Sequence, residues 1–286
     1  MKYVVEHMEE KWGKWCELEY RHMRQIVGDK PGEECSNAGK KDELWFTNVT
    51  SDQRNDFERS LWADLKLDSK EARAVLHTAS LEQMQQGKCA DVKMDWKNVC
   101  LLDMEATEEL KPSDVELFDH IVLGGILGNV HVDEQEDGTS KYSSDDRTSE
   151  IRDQFVHRRH LGALQMTTDT ALLVAHKILH DGHTLSSIPW VDEPEITNDM
   201  EIAPSAENNT NNATVDGEND AENDDEDDFA CCECVEMTGF RYVGRRCPKS
   251  GEWMPTLPPG MAEYLIESNN DDLGDELFFG AGSEDN

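Results

Sequence analysis

The sequence predicts an α/β protein with a mostly parallel sheet and helices on both faces. Strand-like and helix-like segments alternate from residue 2 to about residue 192, as they do in βαβ units. Two runs, NVCLLD (98–103) and DHIVLGGILG (119–128), are largely apolar, which is typical of strands buried on both faces. The segment TALLVAHKILH (170–180) has the clearest helical pattern in the chain.

The first half of the chain begins with a predicted strand in KYVVEHM (2–8). A helix follows, with one apolar face whose members recur every three or four residues: Trp12, Cys16, Tyr20, Met23 and Val27. Residues 28–43 are predicted as a loop, and LWFTNV (44–49) as a second strand. Residues 52–90 have a mostly helical pattern.

The second half continues the alternation around the helix at 170–180. A polar loop is predicted at 133–146, and strands in DQFVHRR (153–159) and SSIPWVD (186–192). The segment GFRYVG (239–244) resumes structured sequence, and LPPGMAEYLIES (257–268) predicts a helix with Pro259 near its first turn.

The charge is extreme and unevenly distributed. The 286 residues carry a net charge of −35, with 15 acidic residues in 192–228, 8 in 263–286 and no Lys or Arg in either segment. Without those 23, 39 acidic residues remain against 27 basic ones, so the body is acidic too, near −12. This charge favours basic partners and argues against binding of nucleic acid through its phosphates.

Composition also divides the chain. Residues 199–235 are rich in Asn, Asp and Glu and are expected to be an acidic disordered insertion, and residues 269–286 an acidic mobile tail. One domain is therefore expected, formed by 1–198 and 236–268. The amino-terminal sequence has no apolar signal region and no run is long enough to span a membrane, so no membrane partner is expected.

The eight cysteines show no disulfide spacing, which predicts a reduced compartment, the cytoplasm by default. The cluster CCEC (231–234) with Cys247 lacks the paired C-x2-C spacing of zinc sites. Reduced thiols are the simpler interpretation, and no metal site is predicted.

Three motifs combine glycines or polar residues with predicted strand or helix ends. GGILG (124–128) follows a buried strand, where it forms either a tight turn or a ligand loop. QMTTDTA (165–171) precedes the best helix, so Asp169 or a preceding threonine is a good N-cap, and the same loop can present polar groups to a ligand. EHMEE (6–10) places carboxylates past the first strand, either at the ligand edge of the sheet or at a helix start.

The basic segment HRRH (157–160) has two interpretations. It is either a patch for RNA or for a cofactor carboxylate, or a strand end with solvated charges.

Six segments together resemble one known family. They are MKYVVEHMEE, VCLLD, GGILG, RRHLGALQMTTDTA, FRYV and LPPGMAEYLI, dispersed over 1–192 and 236–268. In this order they resemble the SPOUT-class (α/β-knot) S-adenosylmethionine-dependent protein-arginine methyltransferases of the fungal ribosomal-protein-methylating type. The resemblance implies a C-terminal deep trefoil knot, an exception to unknotted chains, and a small-subunit ribosomal protein as substrate.

The sequence departs from the family pattern in three places near the motifs. Met104 stands where the family has proline, and Asn129 where it has aspartate. His160 is inserted between Arg159 and Leu161, so the loop that follows is expected to deviate there.

The resemblance also assigns site residues. The cofactor-binding residues it implies are Leu102, Gly124, Gly125, Ile126, Leu127, Gly128, Leu161, Gly162, Gln165, Met166, Thr167, Thr168, Asp169 and Thr170. A carboxylate can hold a guanidinium as a bidentate pair. The catalytic candidates are therefore Glu6, Glu9, Glu10 and Asp103, with Asp169 a further choice.

Three functions stay open on the sequence. The first is methyl transfer from S-adenosylmethionine to an arginine of a basic protein, by a monomer. The second is an RNA methyltransferase of the same class, which the acidic composition disfavours. The third is a non-catalytic acidic binder of basic ribosomal proteins.

Overall fold

A computed structural model provides the fold of the chain. It describes residues 1–9, 12–28, 42–63, 74–89, 92, 94–125, 130–134, 140–144, 147–197, 200 and 234–270, with the backbone alone at 130–134 and 140–144. The helices are α1 (Lys14–Gly28), α2 (Arg54–Leu61), α3 (Leu81–Gln85), α4 (Thr168–Leu179) and α5 (Met261–Asn270). The strands are β1 (Lys2–Glu6), β2 (Glu43–Thr47), β3 (Ala74–Leu76), β4 (Val99–Leu102), β5 (His120–Leu123), β6 (Val130–Glu134), β7 (Ser140–Ser144), β8 (His157–Arg159), β9 (Trp190–Asp192), β10 (Glu195–Thr197), β11 (Cys234–Glu236), β12 (Arg241–Arg246) and β13 (Trp253–Pro255).

The central sheet has six strands in the order β3-β2-β1-β5-β4-β8. Every neighbouring pair is parallel, with Tyr3 opposite Leu44 on one side and Ile121 on the other. The predicted α/β fold with a parallel sheet is therefore confirmed. All six strands point the same way, so their carboxyl ends share one edge, where ligands bind in open α/β sheets. The trefoil knot stays a prediction.

Two apolar cores cover the faces of this sheet, and the side chains of each strand alternate between them. Tyr3 and Val5 of β1 belong to the larger core, and Val4 to the smaller one. Helices α1, α2 and α4 pack on the larger core through residues such as Tyr20. The short α3 packs on the smaller one through Leu81, so helices do lie on both faces.

The C-terminal part of the chain forms a smaller unit beside the sheet. Strand β12 pairs antiparallel with β9 and β13, and β10 pairs antiparallel with β11. Helix α5 packs on this unit with Leu18 of α1 in a third core. A backbone hydrogen bond of 2.8 Å from Arg241 N to Gln165 O ties the start of β12 to the predicted cofactor loop.

Three expectations need correction. The mostly helical pattern at 52–90 contains β3, because the parallel neighbour β2 provides the backbone partners for that short segment. The predicted polar loop at 133–146 is partly strand, since β6 and β7 form an antiparallel hairpin. The expected insertion at 199–235 ends earlier, because Cys234 and Val235 pair with Thr197 and Ile196. Residues 201–233 and the tail from 271 lie outside the described residues.

No helix within the described ranges is both long and apolar enough to cross a membrane.

Candidate functional site

The two predicted cofactor loops meet at the carboxyl edge of the sheet. One follows β5 and the other precedes α4, and they are joined by a hydrogen bond of 3.0 Å from Thr168 Oγ1 to the backbone oxygen of Gly125. Both residues are buried. Two loops separated by 43 positions in the sequence are therefore fixed side by side.

Gly125 lies against the segment that leaves β1. A Cβ atom at this position would stand 3.0 Å from the backbone oxygen of Glu6 and 3.0 Å from the backbone nitrogen of Met8. Backbone atoms of a core strand cannot move away cheaply, so this contact requires glycine. Next to it, a Cβ at Gly124 would meet Thr148 Oγ1 at 3.3 Å. Ile126, Leu127 and Gly128, the rest of this predicted loop, lie outside the described residues.

The second loop begins at the inserted His160. His160 continues the pairing of β8, because its backbone nitrogen donates to Glu108 and its backbone oxygen accepts from Leu110. Its Nδ1 accepts a hydrogen bond of 3.1 Å from the backbone nitrogen of Gly162. Gly162 has a φ of +113°, which side chains rarely tolerate, so the turn out of the strand depends on this glycine.

The start of α4 decides between the N-cap candidates that the sequence offers, Asp169 and the two threonines before it. α4 begins at Thr168, so Thr167 occupies the cap position and Asp169 lies in the first turn. Thr167 makes no side-chain cap, since its hydroxyl bonds to the hydroxyl of Thr170 at 2.8 Å. The carboxylate of Asp169 instead bonds to His22 Nδ1 of α1 at 2.7 Å.

A second carboxylate reaches the same helix start from α1. Glu19 is only 1% exposed, and the indole nitrogen of Trp15 donates to it. Burial and then the Asp169 carboxylate raise the pKa of Glu19 well above its usual range, while hydrogen bonds from Trp15 and from the backbone of Asp169 and Thr168 oppose that shift. Glu19 therefore braces the base of the loop through these hydrogen bonds.

Glu6, a catalytic candidate, ends β1 with a buried carboxylate. It accepts hydrogen bonds from the Thr47 hydroxyl and from the backbone nitrogen of Leu81, the latter at 3.2 Å. Burial raises the pKa of Glu6 to about 7, although both hydrogen bonds lower it. These contacts connect β1, β2 and the start of α3 on the smaller core.

Asp103, a second candidate, follows β4 and is held by two arginines of the chain. Arg152 donates from Nε and Nη2 at 2.8 and 3.0 Å, and Arg158 from Nη1 at 2.7 Å. Burial would raise the pKa of Asp103, but these hydrogen bonds outweigh it and the pKa is lowered. The neighbouring Arg159 pairs with Asp114 at 3.1 Å. The arginines of the HRRH segment are thus engaged in ion pairs at the strand end.

The structure describes three of the four catalytic candidates, and of these Glu9 is partly exposed whereas Glu6 and Asp103 are buried. The backbone oxygen of Glu9 accepts a hydrogen bond of 3.0 Å from the side chain of Gln53. Glu10 lies outside the described residues. The apolar members of the predicted cofactor set, Leu102, Leu161 and Met166, are buried at the edges of the larger core.

One buried polar atom tests whether the loops suit a cofactor. The side-chain nitrogen of Gln165 is buried without a hydrogen-bond partner among the described residues. A buried donor normally has a partner, so a ligand with acceptor oxygens or nitrogens would satisfy it. S-adenosylmethionine offers such acceptors on its carboxylate, ribose and adenine, and the loops therefore fit this cofactor.

Sequence reasoning missed Glu19 and His22, which lie on α1 and support the start of α4. One signal for Glu19 was available: it is four residues after Trp15 and three after Cys16, so it borders the apolar stripe of the helix. A carboxylate in that position needs a buried partner. The pairing of His22 with Asp169 crosses 147 positions and has no local signal.

Comparison with known proteins gives consistent results. The family described as "Protein arginine N-methyltransferase SFM1-like" matches residues 2–272. The chain is 28% identical over 283 residues to protein arginine N-methyltransferase SFM1 of Saccharomyces cerevisiae, covering 97% of this chain and 100% of the yeast protein. The crystal structure of the yeast arginine methyltransferase SFM1 complexed with SAM superposes with a TM-score of 0.58 at 27% identity, over 94% of this chain and 90% of that one. The yeast complex with MTA gives a TM-score of 0.56 at 26% identity, over 93% and 100%.

Proposed function

The chain belongs to the SFM1-like family of protein arginine N-methyltransferases, and from that premise we propose that its substrate is an arginine of a small-subunit ribosomal protein. The enzyme uses S-adenosylmethionine as its cofactor. The observation that carries the substrate proposal is the net charge of −35, which attracts a basic protein and repels the phosphates of free RNA.

The cofactor is assigned to the two loops that Thr168 and Gly125 join. The residues proposed to contact it are those of the sequence analysis: Leu102, Gly124 to Gly128, Leu161, Gly162 and Gln165 to Thr170. When bound, S-adenosylmethionine supplies an electrophilic methyl group on a sulfonium. The loops hold that methyl group in line with the acceptor, and most of the rate enhancement is expected from this alignment.

The acceptor nitrogen belongs to a guanidinium whose lone pairs are delocalised. The new N–C bond would form as the S–C bond of the sulfonium breaks, with S-adenosylhomocysteine as the leaving group. A carboxylate beside the guanidinium would hold it as a bidentate pair and accept the proton that the nitrogen loses. Among Glu6, Glu9, Glu10 and Asp103 we favour Glu9, because it is partly exposed beyond β1. Glu6 and Asp103 are only 5% and 3% exposed, so a substrate guanidinium would have little access to them.

Methyl transfer in a cell extract tests the substrate class. The purified chain is incubated with S-adenosylmethionine carrying a labelled methyl group and with small ribosomal subunits from a strain that lacks this gene. We expect label in one basic protein, on arginine, as shown by mass spectrometry of its peptides. Label in the RNA would instead support the RNA-methylating alternative. Cofactor binding without any transfer would support the acidic binder.

We also propose that the protein acts as a monomer in the cytoplasm. Its charge opposes self-association, and Cys16, Cys89, Cys100 and Cys247 are reduced thiols in the structure, as is usual in a reducing compartment. Sedimentation at physiological salt gives the oligomeric state, and imaging of a tagged chain gives the location.

A further inference from the structure

Two histidines and an aspartate form a cluster at the amino edge of the sheet, opposite the cofactor loops. His176 lies in the last turn of α4 and His180 at its C-cap, one helical turn later. Asp42 immediately precedes β2. One potential ligand atom from each residue lies within 4.8 Å of the other two.

The spacing within this cluster suits a metal ion. His176 Nε2 is 3.6 Å from Asp42 Oδ2, and two ligands at about 2.1 Å from a tetrahedral zinc stand about 3.4 Å apart. The rings of His176 and His180 are stacked, with centroids 4.7 Å apart and planes 16° apart, so the exposed His180 ring must rotate to direct a nitrogen lone pair at the same ion as His176. Histidines at i and i+4 on one helix face are a recurrent way of binding zinc.

A buried hydroxyl nearby points to a further atom at this place. Tyr3 is fully buried, its ring lies 5.8 Å from that of His176, and its hydroxyl has no hydrogen-bond partner among the described residues. A water on a metal ion would provide the missing partner.

We propose that Asp42, His176 and His180 bind a divalent transition-metal ion, with zinc as the best match to two imidazoles and one carboxylate. The fourth position is taken by a water within reach of the Tyr3 hydroxyl. The other carboxylate oxygen of Asp42 keeps the hydrogen bond of 2.7 Å that it accepts from the amino group of Met1. The His180 side chain is 28% exposed, so the ion can enter from solvent.

The location assigns the ion a structural role. It would link the end of α4 to the start of β2, while the start of α4 supports the cofactor loop through Thr168 and Asp169. Metal binding is thus expected to raise the melting temperature without changing the turnover number.

Calorimetry on the full chain tests the proposal. The affinity tag is removed, the protein is treated with a chelator and dialysed, and zinc chloride is titrated into it. We expect one zinc ion per chain for the unmodified protein. His180→Ala and Asp42→Asn should weaken binding at least 10-fold, because each removes a direct ligand. The matched control is His183→Ala, since this histidine lies three residues beyond His180 and bonds to Ser187 instead.

Two further measurements keep the result decisive. A variant with Cys231, Cys232, Cys234 and Cys247 all changed to Ser should bind zinc as the unmodified chain does. S-adenosylmethionine binding should be unchanged in His180→Ala, which shows that the variant is folded. No zinc binding by the unmodified chain would overturn the proposal. Equal weakening by His183→Ala and His180→Ala, or loss of binding in the cysteine variant alone, would overturn it too.

Discussion

The hydroxyl of Thr168 donates a hydrogen bond of 3.0 Å to the backbone oxygen of Gly125, and this contact joins the loop after β5 to the start of α4. In Thr168→Val the side chain keeps its shape but loses the donor, and a buried oxygen without a partner costs about 1–3 kcal/mol. We expect the dissociation constant for S-adenosylmethionine to rise about tenfold. Calorimetric titration measures it. Thr50→Val, which removes an exposed hydroxyl bonded to Gln53, should leave the constant unchanged.

Gly125→Ala should damage the same site by crowding. The added methyl would stand 3.0 Å from backbone atoms of Glu6 and Met8, and overpacking of this kind costs about 1–3 kcal/mol. We expect a lower melting temperature and weaker cofactor binding. Gly13→Ala is the matched control, because a methyl group there meets nothing within 4 Å. Equal melting temperatures for the two variants would show that the close approach is unimportant.

Glu9→Gln tests the carboxylate proposed to hold the substrate guanidinium. We expect the turnover number to fall about 100-fold, with the dissociation constant for S-adenosylmethionine unchanged. The turnover number is measured by steady-state kinetics with the unmethylated form of the protein that the labelling experiment identifies, and the dissociation constant by calorimetry. Glu105→Gln is the control, since Glu105 also follows a strand of the sheet but is 67% exposed and pairs with Arg152. Full turnover by Glu9→Gln would exclude this role.

Asp103→Asn should destabilise the fold, because the buried carboxylate holds Arg152 and Arg158. Breaking a buried ion pair costs about 3–5 kcal/mol, and the partial exposure of both arginines favours the lower value. Asp192→Asn removes a similar ion pair, in which Arg241 donates two hydrogen bonds, but there the carboxylate is 43% exposed. The loss in the free energy of unfolding should therefore stay below about 1 kcal/mol. Urea unfolding at neutral pH compares them. Equal losses would mean that burial adds nothing at Asp103.

Glu6 should make the stability of the protein depend on pH. Burial raises its pKa from 4.5 to about 7, so the folded protein binds this proton more tightly than the unfolded chain does. The unfolding free energy therefore falls as the pH rises from about 4.5 to about 7, by about 3 kcal/mol in total. Glu6→Gln has no such proton, and its free energy should fall less over this window. Parallel curves for the two proteins would contradict the assignment.

The parallel strands at the centre were predictable because burial on both faces makes them locally apolar. β4 and β5 are four-residue runs of buried side chains, and that pattern needs no tertiary information. β3 was missed because Ala74–Leu76 is only three residues long. No periodicity can be read from three residues, and the strand exists because β2 lies beside it.

The two loops proposed to bind the cofactor were predicted from resemblance, whereas the residues that support them were not predicted. Nothing local to QMTTDTA shows that α1 provides the partners of α4, because Glu19 and His22 lie about 150 positions earlier. The residue types of Asp169 and of the threonines before it all favour the N-cap position, so the sequence does not choose between them. In the folded chain the carboxylate of Asp169 bonds to His22 instead. The histidines at 176 and 180 were visible in the sequence, but their carboxylate partner Asp42 is brought to them by the fold.

The pairing of β10 with β11 has an evolutionary consequence. Thr197 and Cys234 are partners in this short ladder, so both ends of the intervening 36-residue connection are held together by the domain itself. The entropy of closing a chain segment between two fixed ends grows only with the logarithm of its length, about 0.6 kcal/mol for each doubling. We therefore expect insertions and deletions between Thr197 and Cys234 to change the stability of the domain little, so that sequence can be gained or lost there while the loops proposed to bind the cofactor keep their structure.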